Sequence, residues 1–136
     1  FDGTLRDNLD IQEYAKELVA KNEVEVWIVT RRYSPEFKGN PDDPWWVNVG
    51  SKNWEEVYTI ADKVGIKRKN IHFCNMDDKE NFFSEQSLFL WHLDDDYFEA
   101  MEIEATSTTI GVWCKRISWK QECESVITKY ENIDIV

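Results

Sequence analysis

Short apolar β-type runs alternate along this chain with amphipathic helical patterns, and that alternation is what most limits its fold. Ile11, Tyr14, Ala15, Leu18 and Val19 recur at helical spacing, which predicts a helix over 11–22. Val24 to Val29 then reads as a strand. Trp54, Val57, Tyr58, Ala61 and Val64 mark a second helix, with Asn53 and Glu56 as a capping pair at its start and Gly65 as its stop. Ile71 to Cys74 reads as a strand, and Lys79 to Gln86 as a short helix presenting Phe82 and Phe83. Leu88 to Leu93 is the most continuous apolar run and predicts a strand buried on both faces. Residues 97–105 predict a helix, Ile110 to Cys114 a strand, and 118–130 a last helix opened by Ser118 with Gln121. Such an order predicts an α/β protein, a parallel sheet with helices on both faces.

With 136 residues, 42% hydrophobic and 14% aromatic, the chain has enough apolar material for one folded domain and too much for disorder. No apolar run approaches the roughly 20 residues of a membrane helix. Asp2 and Arg6 interrupt any secretory-type start, so a membrane partner is not expected. Cys74, Cys114 and Cys123 lack metal-ligand spacing and read as buried thiols, which fits a reducing, cytoplasmic setting. The formal charge of −11 opposes non-specific binding to nucleic acid.

Four segments stand out, each read at the C-terminal end of a predicted strand, where ligands bind in open α/β sheets. They are Phe1-Asp2-Gly3-Thr4-Leu5, Thr30, Lys79, and Asp94-Asp95-Asp96. Singly each has an ordinary reading: a turn, a strand end, a solvated lysine, a helix N-terminus. In this order they resemble the four motifs of the haloacid dehalogenase-like (HAD-like) phosphohydrolases, and the intervening elements fit as well. The resemblance implies a three-layer α/β/α sandwich with a mainly parallel, Rossmann-like sheet. It covers 1–136 as one catalytic domain without a large cap, similar to small deoxynucleotidases and polynucleotide 3′-phosphatases.

It also implies roles. Asp2 would protonate the leaving group and then deprotonate the attacking water, its backbone carbonyl reaching Mg²⁺. Thr30 would hydrogen-bond the transferring phosphoryl group, with Gly3 and Thr4 beside it, and Lys79 would offset its charge. Asp94 and Asp95 would hold the Mg²⁺ cofactor. The nucleophilic Asp is expected immediately before Phe1, at the end of four to six apolar residues forming the central strand. For Asp96 the local reading is preferred, a cap for the helix beginning near Tyr97.

Substrate clues are sparser. Arg31 and Arg32 follow Thr30, and Lys115 and Arg116 follow the last strand. They could grip an anion or simply pair with neighbouring acids, and the second reading is preferred for Lys115 and Arg116. Lys67 to Lys69 answers a helix dipole. Trp45 and Trp46, in the Pro-containing stretch 33–50, could stack on a nucleobase or plug the core. The other five Trp fit core faces. His72 and His92 read as core histidines. The expected substrate is a small phosphorylated molecule, with a nucleotide or nucleic-acid end favoured. A catalytically silent binding module and a phosphotransferase are the alternatives, and the residue before Phe1 separates the first from the enzyme.

Overall fold

The computed structural model describes residues 1–37, 52–86 and 89–134, in two compact units, Phe1–Lys79 and Glu80–Val136. Among them are five α-helices and four short strands paired in parallel, a mixed α/β chain.

In the first unit, helix α1 spans Leu9–Lys21. Asn8 starts it by accepting hydrogen bonds from the Asp10 and Ile11 amides at 2.9 and 3.2 Å. Asn22 ends it in the left-handed region, with φ 53°. Its apolar stripe, Ile11, Tyr14, Ala15 and Leu18, is buried as the spacing predicts. Strand β1, Ile28–Thr30, is wholly buried. It is half the predicted length, because only these residues find partners: Ile28, Val29 and Thr30 pair with Ile71, His72 and Phe73 of β2.

Helix α2, Trp54–Val64, precedes β2 and buries Val57, Ala61 and Val64. Asn53 caps it as predicted, accepting from the Glu56 amide at 3.3 Å, while the Glu56 carboxylate turns to Arg32. Gly65 stops it at φ 87°, a conformation that costs glycine least. A 3₁₀ turn, Arg68–Asn70, leads into β2, and Arg68 pairs with Asp62 at 3.1 Å across the Tyr58 ring.

Helix α3, Lys79–Ser84, crosses from one unit to the next. In the second unit, β3 (Trp91–Asp94) and β4 (Ile110–Trp113) run parallel, Asp94 opposite Trp113. The predicted double-sided burial of the 88–93 run is only partly met: Trp91 and His92 are half-buried, Leu93 and Asp94 buried, and Leu88 lies outside the described residues.

Helix α4, Tyr97–Thr106, packs hard against β4. A Cβ on Gly111 would fall 2.0 Å from the Ala100 carbonyl oxygen, so only glycine permits this approach. Helix α5 is Trp119–Asp134. Its expected cap pair is corrected: the Ser118 hydroxyl donates to Glu122 at 2.9 Å, one residue beyond Gln121. Trp27, Trp54, Trp91, Trp113 and Trp119 are half-buried, and the fully buried residues are smaller or differently shaped: Tyr14, Tyr33, Phe83, Ile103, Val57 and Val112. An indole is too large to disappear into units this small, and its N–H needs a partner when buried.

Candidate functional site

The first unit gathers one group of the expected residues around a buried arginine. Residues 1–7 form a tight turn in which the Thr4 and Arg6 amides both donate to the Phe1 carbonyl at 3.1 Å. Gly3 sits at φ 70°, and its amide donates to Asp7 at 2.6 Å. Thr4 is buried under this turn while Asp2 points outward, half-exposed.

Arg32, only 6% exposed, takes the Asp2 carboxylate in a two-pronged grip, Nη2 to Oδ1 at 2.6 Å and Nε to Oδ2 at 3.1 Å. The same guanidinium donates to Glu56 at 2.7 Å and to the Asn53 carbonyl at 2.8 Å, and lies over the Phe1 ring. Arg6 adds a contact to Asp2 at 3.0 Å. Burial alone would raise the Asp2 pKa, but the hydrogen bonds and charge of Arg32, with Arg6, outweigh it. The carboxyl is held below its ordinary value. In this arrangement Asp2 is ionised at neutral pH.

Thr30 closes β1, and its hydroxyl accepts from the Arg32 amide at 3.3 Å. The loops after β1 and β2 are stitched together. Cys74, Asn75 and Met76 amides donate to the carbonyls of Thr30, Arg32 and Arg31 at 2.7, 3.2 and 2.6 Å. Asn75 and Met76 both adopt left-handed backbone, at φ 52° and 67°. For Met such a conformation costs on the order of 1 kcal/mol, so these cross-loop bonds offset a real strain. Lys79 follows three residues later and is 5% exposed. Arg31 points to Asp78 at 3.4 Å and the Met76 carbonyl at 3.2 Å, the local pairing among the two readings of this residue.

The second unit holds the other group. Asp94 closes β3 with its side chain 2% exposed. One carboxylate oxygen accepts from His92 Nε2 at 2.8 Å and the other from the Asp96 amide at 3.0 Å. Asp95 is half-buried, and its carbonyl accepts from the Trp113 indole at 2.9 Å. Burial first, then the neighbouring Asp94 charge, push the Asp95 carboxyl above its ordinary value. Asp96 caps α4, accepting from the Phe98 and Glu99 amides at 3.0 and 3.2 Å, as the local reading has it. Lys115 is exposed, and Arg116 pairs with Glu122 at 3.1 Å.

The Asp94–Asp95 pair suits a hard divalent cation. A cation would relieve the Asp94–Asp95 repulsion that, after burial, raises the Asp95 carboxyl. Among the described residues, no three or more His, Cys, Asp or Glu side chains group as a ligand cage. Mg²⁺ commonly needs none, being held through one or two carboxylates with water and substrate oxygens filling the rest.

Trp45 and Trp46 lie outside the described residues. Residue patterns missed two partnerships. The grip of Arg32 on Asp2 joins positions 30 apart and has no local signature. The His92–Asp94 bond was open to inference, because strand alternation puts residues two apart on one face. All three cysteines are buried thiols outside any disulfide. No helix among the described residues is long and apolar enough to cross a membrane. Comparison of the chain with protein-family models, with curated proteins and with solved structures finds no match among any of the three.

Proposed function

We propose that this chain is a HAD-like, Mg²⁺-dependent phosphomonoesterase with a three-layer α/β/α fold, acting through an aspartyl-phosphate on nucleotides or nucleic-acid ends. The observation that carries the reading is the Asp94–Asp95 pair at the carboxyl end of a parallel strand, one acid buried and the other with a raised pKa. Carboxylates placed side by side repel one another, and a bound cation is one way to relieve that repulsion.

A phosphomonoester carries close to two negative charges, so an attacking carboxylate needs that charge offset. Mg²⁺ bound at Asp94 and Asp95 would supply part of the offset, and the Lys79 ammonium the rest. The Thr30 hydroxyl donates to the transferring phosphoryl group. Asp2, once released from Arg32 and protonated from solvent, would give that proton to the leaving oxygen and then take one from the attacking water. The nucleophile is an Asp one position before Phe1.

The test is Mg²⁺-dependent release of inorganic phosphate from a nucleoside monophosphate and from a simple aryl phosphate. Hydrolysis indifferent to chelation of the metal, or undiminished in Asp94→Asn, overturns the reading. One observation favours a second reading, a catalytically silent binding module: Asp2 is locked as an ionised partner of Arg32 and Arg6, poorly suited to donate a proton. Asp before Phe1 supports the enzyme, and Asn or Ala there supports the module.

A further inference from the structure

We infer that the surface formed by Tyr97, Phe98, Lys115 and Arg116 binds single-stranded nucleic acid, stacking a base and pairing with the phosphates beside it. The inference rests on the proposed phosphatase reading for where the reacting phosphate sits, and goes beyond it by naming the surface that holds the rest of the strand.

The first support is aromatic. The Tyr97 ring centroid lies 5.5 Å from that of Trp113 and 5.7 Å from that of Phe98, both edge-on, and the Arg116 guanidinium stands 6.0 Å over the same ring. Phe98 is 78% exposed, so it buries little in this unit, although the first turn of α4 favours acidic residues. Packing gives no reason for an aromatic ring at that position, whereas an exposed π-face can stack on any base.

Charge is the second support. The chain carries −11 overall, yet residues 115–120 hold Lys115, Arg116 and Lys120 and no acid. Arg116 pairs with Glu122 at 3.1 Å, as the local reading has it. Lys115 departs from that reading: it is exposed and has no ion-pair partner among the described residues. Fully exposed Ile117 lines an open groove at the start of α5 with Arg116, Ser118, Lys120, Gln121 and Glu124. Exposed rings beside local cations suit a polyanion that also presents flat apolar faces. An apolar protein face laid here would bury Lys115 with no counter-charge.

Position is the third. Trp113 stands opposite Asp94 in the β3–β4 register, and its indole donates to the Asp95 carbonyl at 2.9 Å. The aromatic cluster therefore starts beside the paired acids and runs outward to Phe98. A phosphate held at those acids through a cation leaves its nucleoside on the side of these rings.

The experiment titrates the chain into a fluorescein-labelled oligothymidylate with hydroxyl ends, which cannot turn over, and reads fluorescence anisotropy in Mg²⁺ at several salt concentrations. We expect Phe98→Ala to weaken binding about five- to hundredfold and Phe98→Trp to retain it. Lys115→Ala should weaken binding and flatten its salt dependence by about one phosphate contact. Both side chains are exposed, so thermal unfolding should be unchanged in the variants. A wild type that binds no oligonucleotide, or equal affinity in Phe98→Ala, overturns this surface; the phosphatase reading stands if the wild type still releases phosphate. Self-association of the wild type that Phe98→Ala abolishes, without oligonucleotide binding, gives the face to a second copy of the chain and also overturns the inference. A wild type that releases no phosphate but loses the oligonucleotide in Phe98→Ala overturns the phosphatase reading and supports the strand-binding surface.

Discussion

The molecule has two acidic centres, and they are built on opposite principles. At Asp2 the carboxylate is half-exposed and gripped by one buried arginine and one surface arginine, which lower its pKa. At Asp94–Asp95 the acids stand side by side, the first held by an imidazole and a backbone amide, and burial raises the pKa of the second. Identical side chains thus shift in opposite directions, because the hydrogen bonds and charge of arginine outweigh burial at Asp2 whereas burial and the Asp94 charge dominate at Asp95. The compensated centre is a structural tie, joining the N-terminal turn to the start of α2 through Arg32. At the second centre, the repulsion between adjacent carboxylates is what a bound cation would relieve.

The sharpest way to break the contrast is Asp94→Asn. It should abolish Mg²⁺-dependent phosphate release, a loss on the order of a hundredfold or more, while unfolding temperature changes little because the substitution relieves repulsion. Full activity in the variant would remove the distinction between the centres. Next in size is Arg32→Ala, read by chemical denaturation. Its removal strands two carboxylates and the Asn53 carbonyl, and we expect a loss of about 2–3 kcal/mol. That lies below the cost for a fully buried pair, because Asp2 and Glu56 can rehydrate. A change under about 0.5 kcal/mol would show that the arginine is not a tie.

Asn53→Ala should cost about 1 kcal/mol through the lost cap on α2, and the Arg32 bond to its backbone carbonyl should survive. A double variant with Arg32→Ala tests whether cap and tie act independently; losses that fail to add would show that they are coupled.

The smallest effects concern pH and have opposite signs. Asp2 has a depressed folded pKa, so its contribution is present above the unfolded value of 3.8 and is lost as pH falls through the lower folded one. Asp95 has a raised folded pKa, so in metal-free buffer it costs stability above that value and returns it as pH falls towards 3.8. At neutral pH without metal, Asp2→Asn should lower stability slightly and Asp95→Asn should raise it, each by at most about 1 kcal/mol given their exposure. Adding Mg²⁺ should raise the unfolding temperature of the wild type more than that of Asp95→Asn. Shifts of the same sign in both variants would contradict the contrast directly.

Helix starts and stops were legible without the structure wherever the signal is local. Asn53 and Gly65 bracket α2 and Asp96 caps α4, because a cap depends on residues within one turn. Strand bounds were less legible. The apolar run from Val24 is longer than β1, since pairing with β2 reaches only from Ile28 to Thr30. The indoles expected in the core stand half-buried at its margins for reasons of size that no pattern reveals.

By itself, then, the chain's residue order determined an alternating α/β protein with parallel strands, the caps of its helices and the positions where acids, threonine and lysine meet strand or helix ends. Those features depend on spacing within a few residues. Tertiary structure alone decided what surrounds each acid: that Arg32 reaches back 30 positions to claim Asp2, and that His92 and the Asp96 amide clamp Asp94. Charge compensation and burial belong to three-dimensional neighbours, and they, not the residue type, set which way a carboxylate's proton affinity shifts.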